Sequence, residues 1–216
     1  MVVDVKPARQ GGALQARTRR TRAAVVDAAR ALFLERGYAA TTVDAISERS
    51  DTPQATVYRL FGSKLGILKA LLDASIGGDD RPVTMAGRPS VRTMLADPDP
   101  HRQIAAFAAV VCEVMVRAAP VHRILADAAR SDPAAAELLG EIARQRLEGQ
   151  RQVARSLARN QALRAGVKDR DAADVIHALA SPEVHGLLVF DRGWSPERYQ
   201  KWLADTLAGQ LLAPRT

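Results

Sequence analysis

Between Thr41 and Lys64 the chain reads T-T-V-D-A-I-S-E-R-S-D-T-P-Q-A-T-V-Y-R-L-F-G-S-K, with apolar positions on two short helical stripes either side of a polar break. Val43, Ala45 and Ile46 give the first stripe. Thr41 is the predicted N-cap of that helix, and Asp44, three residues on, suits its positive end. Ser50-Asp51-Thr52 stops the helix, and Asp51 tolerates the left-handed backbone that a tight turn needs. Pro53, with its fixed φ, suits the first turn of a second helix running to about Leu60. There Val57, Leu60 and Phe61 take the inward spacing and leave Gln54, Ala55, Thr56 and Arg59 outside. Two short helices joined by so tight a turn make a helix-turn-helix.

The same pattern predicts helices along the rest of the chain. Val25, Ala28, Ala29, Leu32 and Phe33 form a core stripe that ends at Gly37, and Ser63 caps a helix carrying Leu65, Leu68, Leu71 and Leu72. Gly77 to Pro82 breaks that helix, and a short one follows at Ser90 to Ala96. Pro100 opens an apolar, central helix that Pro120 is expected to interrupt, leaving a shorter one over Val121 to Arg130. A long half-buried helix runs from Ala134 to about Leu163 and another from Arg170 to Phe190. Ser195-Pro196 starts the last, in which Tyr199, Trp202, Leu203, Leu207 and Leu211 recur at helical spacing. The fold class expected is all-α, an N-terminal three-helix unit followed by a helical bundle. Residues 1–16, with Pro7, Gly11 and Gly12 and no periodicity, read as a mobile arm, residues 17–67 as the helix-turn-helix domain and 68–216 as the bundle.

Composition sharpens this picture in two places. The 216 residues suffice for a full core, and aromatic residues are only 4% of the chain, which with the scarcity of strand-like alternation supports helices. The net charge is +7, and it is uneven: residues 1–72 carry 12 Lys or Arg against 6 Asp or Glu, while residues 73–216 carry 19 against 18. A basic excess that coincides with the helix-turn-helix favours duplex DNA over a membrane surface. No apolar run approaches 18 residues and the N-terminus lacks a hydrophobic signal core, so a cytoplasmic location without membrane attachment is expected. Lone Cys112 reads as a small core residue.

The outer face of the second helix has the chemistry of a major-groove reader. Gln54 can pair with adenine, Ala55 and Thr56 can meet a thymine methyl, Arg59 can address guanine or phosphate, and Tyr58 offers a hydroxyl to the backbone. Arg17, Arg19, Arg20 and Arg22, at the start of the first helix, are placed to reach phosphate or the minor groove, or else only solubilise that helix. V-Y-R-L-F-G-S-K resembles the T-[VLI]-Y-x-[HY]-F-x-x-K signature of the tetracycline-repressor (TetR) family of transcription regulators, strongly over residues 18 to 75. Two departures stand out: Asp51 replaces a common glycine in the turn, and Leu60 stands where the family often has His or Tyr.

The resemblance implies a homodimer on a palindromic operator, DNA contacts that also include Thr42 and Lys64, and a small-molecule effector. For the dimer it points to the last two helices, with Val184, Leu187, Leu188, Trp202, Leu203 and Leu207. For the effector it points to the middle helices, where Phe107, Val111, Met115, Leu125, Leu139 and Ile142 either line an apolar cavity or form solid core. A ligand that shifts the helix beginning at Lys64 would change the spacing of two recognition helices. No P-loop, dinucleotide fingerprint, nucleophile elbow or zinc-protease motif occurs, and His101, His122, His177 and His185 are scattered. No metal, cofactor or enzymatic activity is expected. The reading from another class is a helical small-molecule-binding or enzymatic protein with a solubilising basic N-terminus.

Overall fold

The computed structural model describes residues 9–78 and 85–214, with side chains from residue 15. Ten α-helices are described: α1 Arg9–Ala40, α2 Val43–Arg49, α3 Gln54–Phe61, α4 Lys64–Gly77, α5 Pro89–Ala96, α6 Pro100–Ala128, α7 Pro133–Arg159, α8 Asp169–Leu179, α9 Pro182–His185 and α10 Pro196–Leu211. A 3₁₀ turn at Met85–Gly87 precedes α5, and a π-helical turn at Gly186–Asp191 continues α9. Among the described residues there is no strand, only one isolated antiparallel bridge between Leu163 and Leu212. The fold is all-α. The chain divides into two compact units, Met1–Leu71 and Leu72–Thr216, a division that falls within α4.

In the first unit α1 runs further back than its apolar stripe. Residues 9–16 are helical rather than an arm, and the expected arm's first eight residues lie outside the described residues. Ala13, Leu14, Gln15 and Ala16 are good helix formers, and adding a turn to a formed helix is far easier than starting one. Val25, Ala28, Ala29, Leu32 and Phe33 are buried. At Gly37 the helix breaks, with φ 75° and ψ 175°, a backbone that a Cβ would strain. The chain then turns into α2, where the cap is Thr42 rather than Thr41: the Ala45 amide donates to Thr42 Oγ1 at 3.1 Å. Thr41 is fully buried, and its hydroxyl donates to the Gly37 carbonyl at 2.8 Å, so only its neighbour is left to face the helix end.

The second unit is built on α6, which packs against α7, α9 and α10, while α7 also pairs with α8. Asp99 and Asp132 cap α6 and α7 through their carboxylates, each followed by a proline at the first helical position. Pro120 does not end α6. Its missing amide removes one helical bond, and the burial of Ala118, Ala119, Val121 and Leu125 around it holds the helix together. By length and composition α6 also resembles a membrane span, yet Ile104, Phe107, Ala108 and Cys112 lie in the apolar core with Val153, Leu157 and Ile176. α7 stops at Arg159, earlier than its periodicity, because Gln161 takes φ 53° and the Ala162 amide bonds back to Leu157, a Schellman closure. The helix expected over Arg170 to Phe190 is divided at Ser181-Pro182: Pro182 cannot donate, and Ser181 caps the new helix through the Val184 amide at 3.1 Å.

Candidate nucleic-acid interface

The turn between α2 and α3 is held by its own side chains. Ser47 Oγ donates to the Thr52 carbonyl at 2.6 Å, the Thr52 amide donates to the Ser47 carbonyl at 3.1 Å, and Thr52 Oγ1 donates to the Ser50 carbonyl at 3.1 Å. Asp51 supplies the left-handed residue, at φ 47°. The carbonyl of Pro53 then accepts from Thr56 and Val57 and starts α3. With Val43, Ile46 and Val57 buried beneath it, this short turn fixes the exit angle of α3 without a glycine.

On α3 the burial pattern separates core from face. Val57 is 1% exposed, Leu60 and Phe61 are half-buried, and Gln54, Ala55, Tyr58 and Arg59 are exposed with Thr56 half-buried. The five outward residues thus form one polar and small-residue surface on a helix anchored at both ends. At the C-terminal end Arg22 of α1 donates to the Leu60 carbonyl at 2.9 Å, and its guanidinium lies 4.5 Å from the centroid of the Phe61 ring. Arg22, expected among the phosphate-reaching arginines, is exposed and also joins α1 to the end of α3. Arg17, Arg19 and Arg20 are exposed on α1, so whatever they reach is presented from a helix and not from an extended arm.

Lys64, expected at a DNA phosphate, has partners within the unit. Its ammonium donates to the carbonyls of Tyr38 and Thr41, at 2.7 and 2.9 Å, and lies 4.2 Å from the centroid of the Tyr38 ring. The break at Gly37 interrupts helical bonding at the end of α1, and Lys64 donates to one carbonyl there, Tyr38, and to that of Thr41 just past the helix. The position that the signature assigns to phosphate contact here ties α4 to the end of α1. A second position, absent from the sequence reading, sets the same corner: a Cβ on Gly66 would stand 1.9 Å from the Phe61 carbonyl oxygen. Ser63, in contrast, caps α4 as expected, accepting from the Gly66 amide at 3.0 Å.

Residues 25–71 match the model of the bacterial regulatory proteins of the tetR family. They are a TetR-family helix-turn-helix. A stretch of 54 residues is 41% identical to the uncharacterized HTH-type transcriptional regulator YvkB of Bacillus subtilis (strain 168), covering 25% of this chain and 29% of that protein. The fold of the whole chain is also that of solved TetR-type structures. SmeT in complex with triclosan superposes with a TM-score of 0.69 at 21% identity, over 89% of this chain and 92% of that one. SmeT is the repressor of the Stenotrophomonas maltophilia multidrug efflux pump SmeDEF. NalD, the secondary repressor of the MexAB-OprM multidrug efflux pump in Pseudomonas aeruginosa, superposes with a TM-score of 0.68 at 21% identity, over 92% of this chain and 100% of that one. These relatives are regulators, not enzymes.

The residues expected to line an effector cavity differ in burial. Phe107 and Val111 belong to the apolar cluster around Tyr199, Met115 and Leu125 are buried outside it, and Leu139 and Ile142 are half-buried on α7. The expected dimer residues divide as well. Leu203 and Leu207 are fully buried within their own chain, because α10 packs that stripe against α6 and α8. Trp202, Val184 and Leu188 are half-buried, and Leu187 is 55% exposed. Two exposed apolar side chains that the sequence reading did not single out, Val116 and Phe190, join it on the surface of the second unit. Among the described residues no His, Cys, Asp and Glu group could hold a metal ion.

Proposed function

We propose that the chain is a homodimeric transcription repressor that binds a palindromic operator through α3 and is released by a small, largely apolar effector. The observation that carries this reading is the outward face of Gln54, Ala55, Thr56, Tyr58 and Arg59 on a helix fixed at both ends. Such residues address base edges and phosphates, and rigid placement is what sequence readout requires. One such helix spans only a few base pairs, so a two-fold pair reading half-sites about 34 Å apart supplies the specificity. The exposed Leu187, Phe190 and Val116 on the second unit are the apolar side chains we assign to the partner subunit. Effector release is supported by analogy with SmeT, a repressor of the same fold seen with triclosan. A hundredfold weakening of operator binding needs about 2.7 kcal/mol of coupling, and operator DNA must weaken effector binding by the same factor.

An electrophoretic mobility shift with the DNA upstream of the gene tests the reading. Gln54→Ala is expected to lose discrimination at one base pair, on the order of 1–3 kcal/mol, while leaving affinity for random duplex unchanged. Equal losses on operator and random DNA, or binding that does not weaken with salt, would refute α3 as the reader.

A further inference from the structure

The second unit holds a group of polar side chains in its interior that no part of the DNA-reading function uses. Arg146 on α7 donates from one terminal nitrogen to His177 Nε2 at 3.2 Å, and His177 Nδ1 lies 2.6 Å from Gln150 Oε1. That chain of contacts sets the tautomer: Nε2 accepts from the guanidinium, so Nδ1 carries the proton and donates to the amide oxygen. Nε and the other terminal nitrogen of Arg146 are buried and have no hydrogen-bond partner among the described residues. The same holds for both ring nitrogens of His185 and for the hydroxyl of Tyr199, whose residues are 1% and 0% exposed. His185 and Tyr199 meet edge to face with ring centroids 4.8 Å apart.

Five buried polar atoms from three helices, α7, α9 and α10, thus forgo the bonds that water gave them in the unfolded chain. At least four of the five can donate, one ring nitrogen of neutral His185 being an acceptor, and a folded core seldom keeps so many polar atoms without a partner. The Arg146 charge is felt at His122, His177 and Tyr199, and His185 joins the group through its ring contact with Tyr199. Burial pushes the pKa values of His122, His177 and His185 below the usual histidine range and that of Tyr199 above the usual phenol range. Those four groups are therefore neutral at pH 7, and Arg146 is the permanent charge among them. Arg146 makes no ion pair among the described residues; Glu183, which acts on it only through space, is exposed. Around Tyr199 the wall is apolar, with Phe107, Cys112 and Leu203 in the same core cluster.

One guanidinium flanked by neutral donors, set in an apolar wall, matches a single negative charge on a hydrophobic body. Phosphate, with nearly two charges, would call for a second cation. We propose that Arg146, His185 and Tyr199 form the head-group end of the effector site, and that the effector is a monocarboxylate carried on an apolar body. This rests on the reading of the chain as an effector-released regulator and assigns that effector its chemical class.

The test uses the full chain and isothermal titration with octanoate and benzoate, each beside its matching alcohol, octanol and benzyl alcohol. The carboxylates are expected to bind at least about tenfold more tightly than the alcohols, since charge-assisted bonds to arginine are the stronger ones. Arg146→Met keeps the stem and volume and is expected to erase that preference while leaving alcohol affinity unchanged. Tyr199→Phe keeps the ring and is expected to weaken the carboxylates alone, by about threefold; it carries the test if the methionine variant fails to fold. Equal affinity of carboxylate and alcohol, absence of carboxylate binding, or a preference that survives both substitutions would overturn the assignment. A mobility shift with and without octanoate separates the two levels. Carboxylate binding that leaves operator affinity untouched keeps the site and rejects effector release, whereas release by other compounds with no carboxylate binding does the reverse.

Discussion

Replacing Lys64 with methionine keeps the aliphatic stem and deletes the ammonium that joins α4 to the end of α1. Two carbonyls, those of Tyr38 and Thr41, lose a charged donor at 2.7 and 2.9 Å, and the Tyr38 ring loses a cation 4.2 Å from its centroid. Hydrogen bonds to charged groups contribute roughly 1.5–3 kcal/mol each, and a cation over an exposed ring about 0.5–1 kcal/mol. Lys64 is half-buried, so water reaches part of the site in the variant and the low end of these ranges applies. The expected loss is about 3.5 kcal/mol, which for a chain of this size lowers Tm by roughly 7–14 °C. Thermal unfolding followed by circular dichroism measures that shift, and mobility shifts at several salt concentrations measure the other possibility. If Lys64 instead neutralises a DNA phosphate, Tm stays within about 1 °C and the slope of log affinity against log salt falls by about 1. That pair of results would refute the clamp.

Leu203→Asp is expected to unfold the second unit, at a cost above about 4 kcal/mol, because it buries an unpaired carboxylate, whereas Leu187→Asp stays folded and becomes monomeric; circular dichroism with light scattering distinguishes them. Gly66→Ala sets a methyl against the Phe61 carbonyl and is expected to cost roughly 2–4 kcal/mol in urea unfolding. Acid weakens the second unit in a defined direction. His122, His177 and His185 have folded-state pKa values below their unfolded ones, so the unfolded chain binds more protons as pH falls through about 6.5. The stability they contribute is complete above about pH 7 and declines at lower pH, by up to about 1.4 kcal/mol per pH unit for each histidine. The charged groups acting on His122 and His177 are Arg146 and Glu183, with Asp174 also acting on His177. Urea unfolding at pH 7.5 and 5.5, expected to give a smaller difference in His122→Gln, checks the sign.

Local chemistry was legible where a residue acts on its own neighbours. Gly37, Asp51, Ser63 and Ser195 were placed correctly because a cap or a left-handed turn depends on a few adjacent residues, and so was the inward spacing of Val57. Thr41 and Thr42 were exchanged because either hydroxyl can cap α2; only burial of Thr41 against Leu32 and Gly37 decides between them. Periodicity told that Leu203 and Leu207 share a face, and it carried no information on whether α6 or a second chain covers that face. The two prolines make the same point. Pro182 ends a helix and Pro120 does not, although both lack the same hydrogen, because burial on both sides of Pro120 outweighs the lost bond. The group around Arg146 was invisible for a simpler reason: residues 146, 177, 185 and 199 stand on four helices, and nothing in their spacing marks them as neighbours.

The fate of Arg22 and Lys64 changes what the basic excess of the first unit means. A surplus of six cations around a helix-turn-helix suits a polyanion, but net charge counts every cation as available to it. Two of the cations also donate to backbone carbonyls of the unit itself, the exposed Arg22 to Leu60 and the half-buried Lys64 to Tyr38 and Thr41. Helix ends in a unit of short helices leave many carbonyls unpaired, and a long cationic side chain reaches them without needing a capping residue at the end itself. Under the proposed function the unit draws on the same residue types for two purposes, holding α3 at a fixed angle and neutralising phosphate. Only the second contributes to salt-dependent affinity, so the number of basic residues is an upper bound on phosphate contacts, and the outward Arg59 together with Arg17, Arg19 and Arg20 on α1 are the ones on which that affinity is expected to rest.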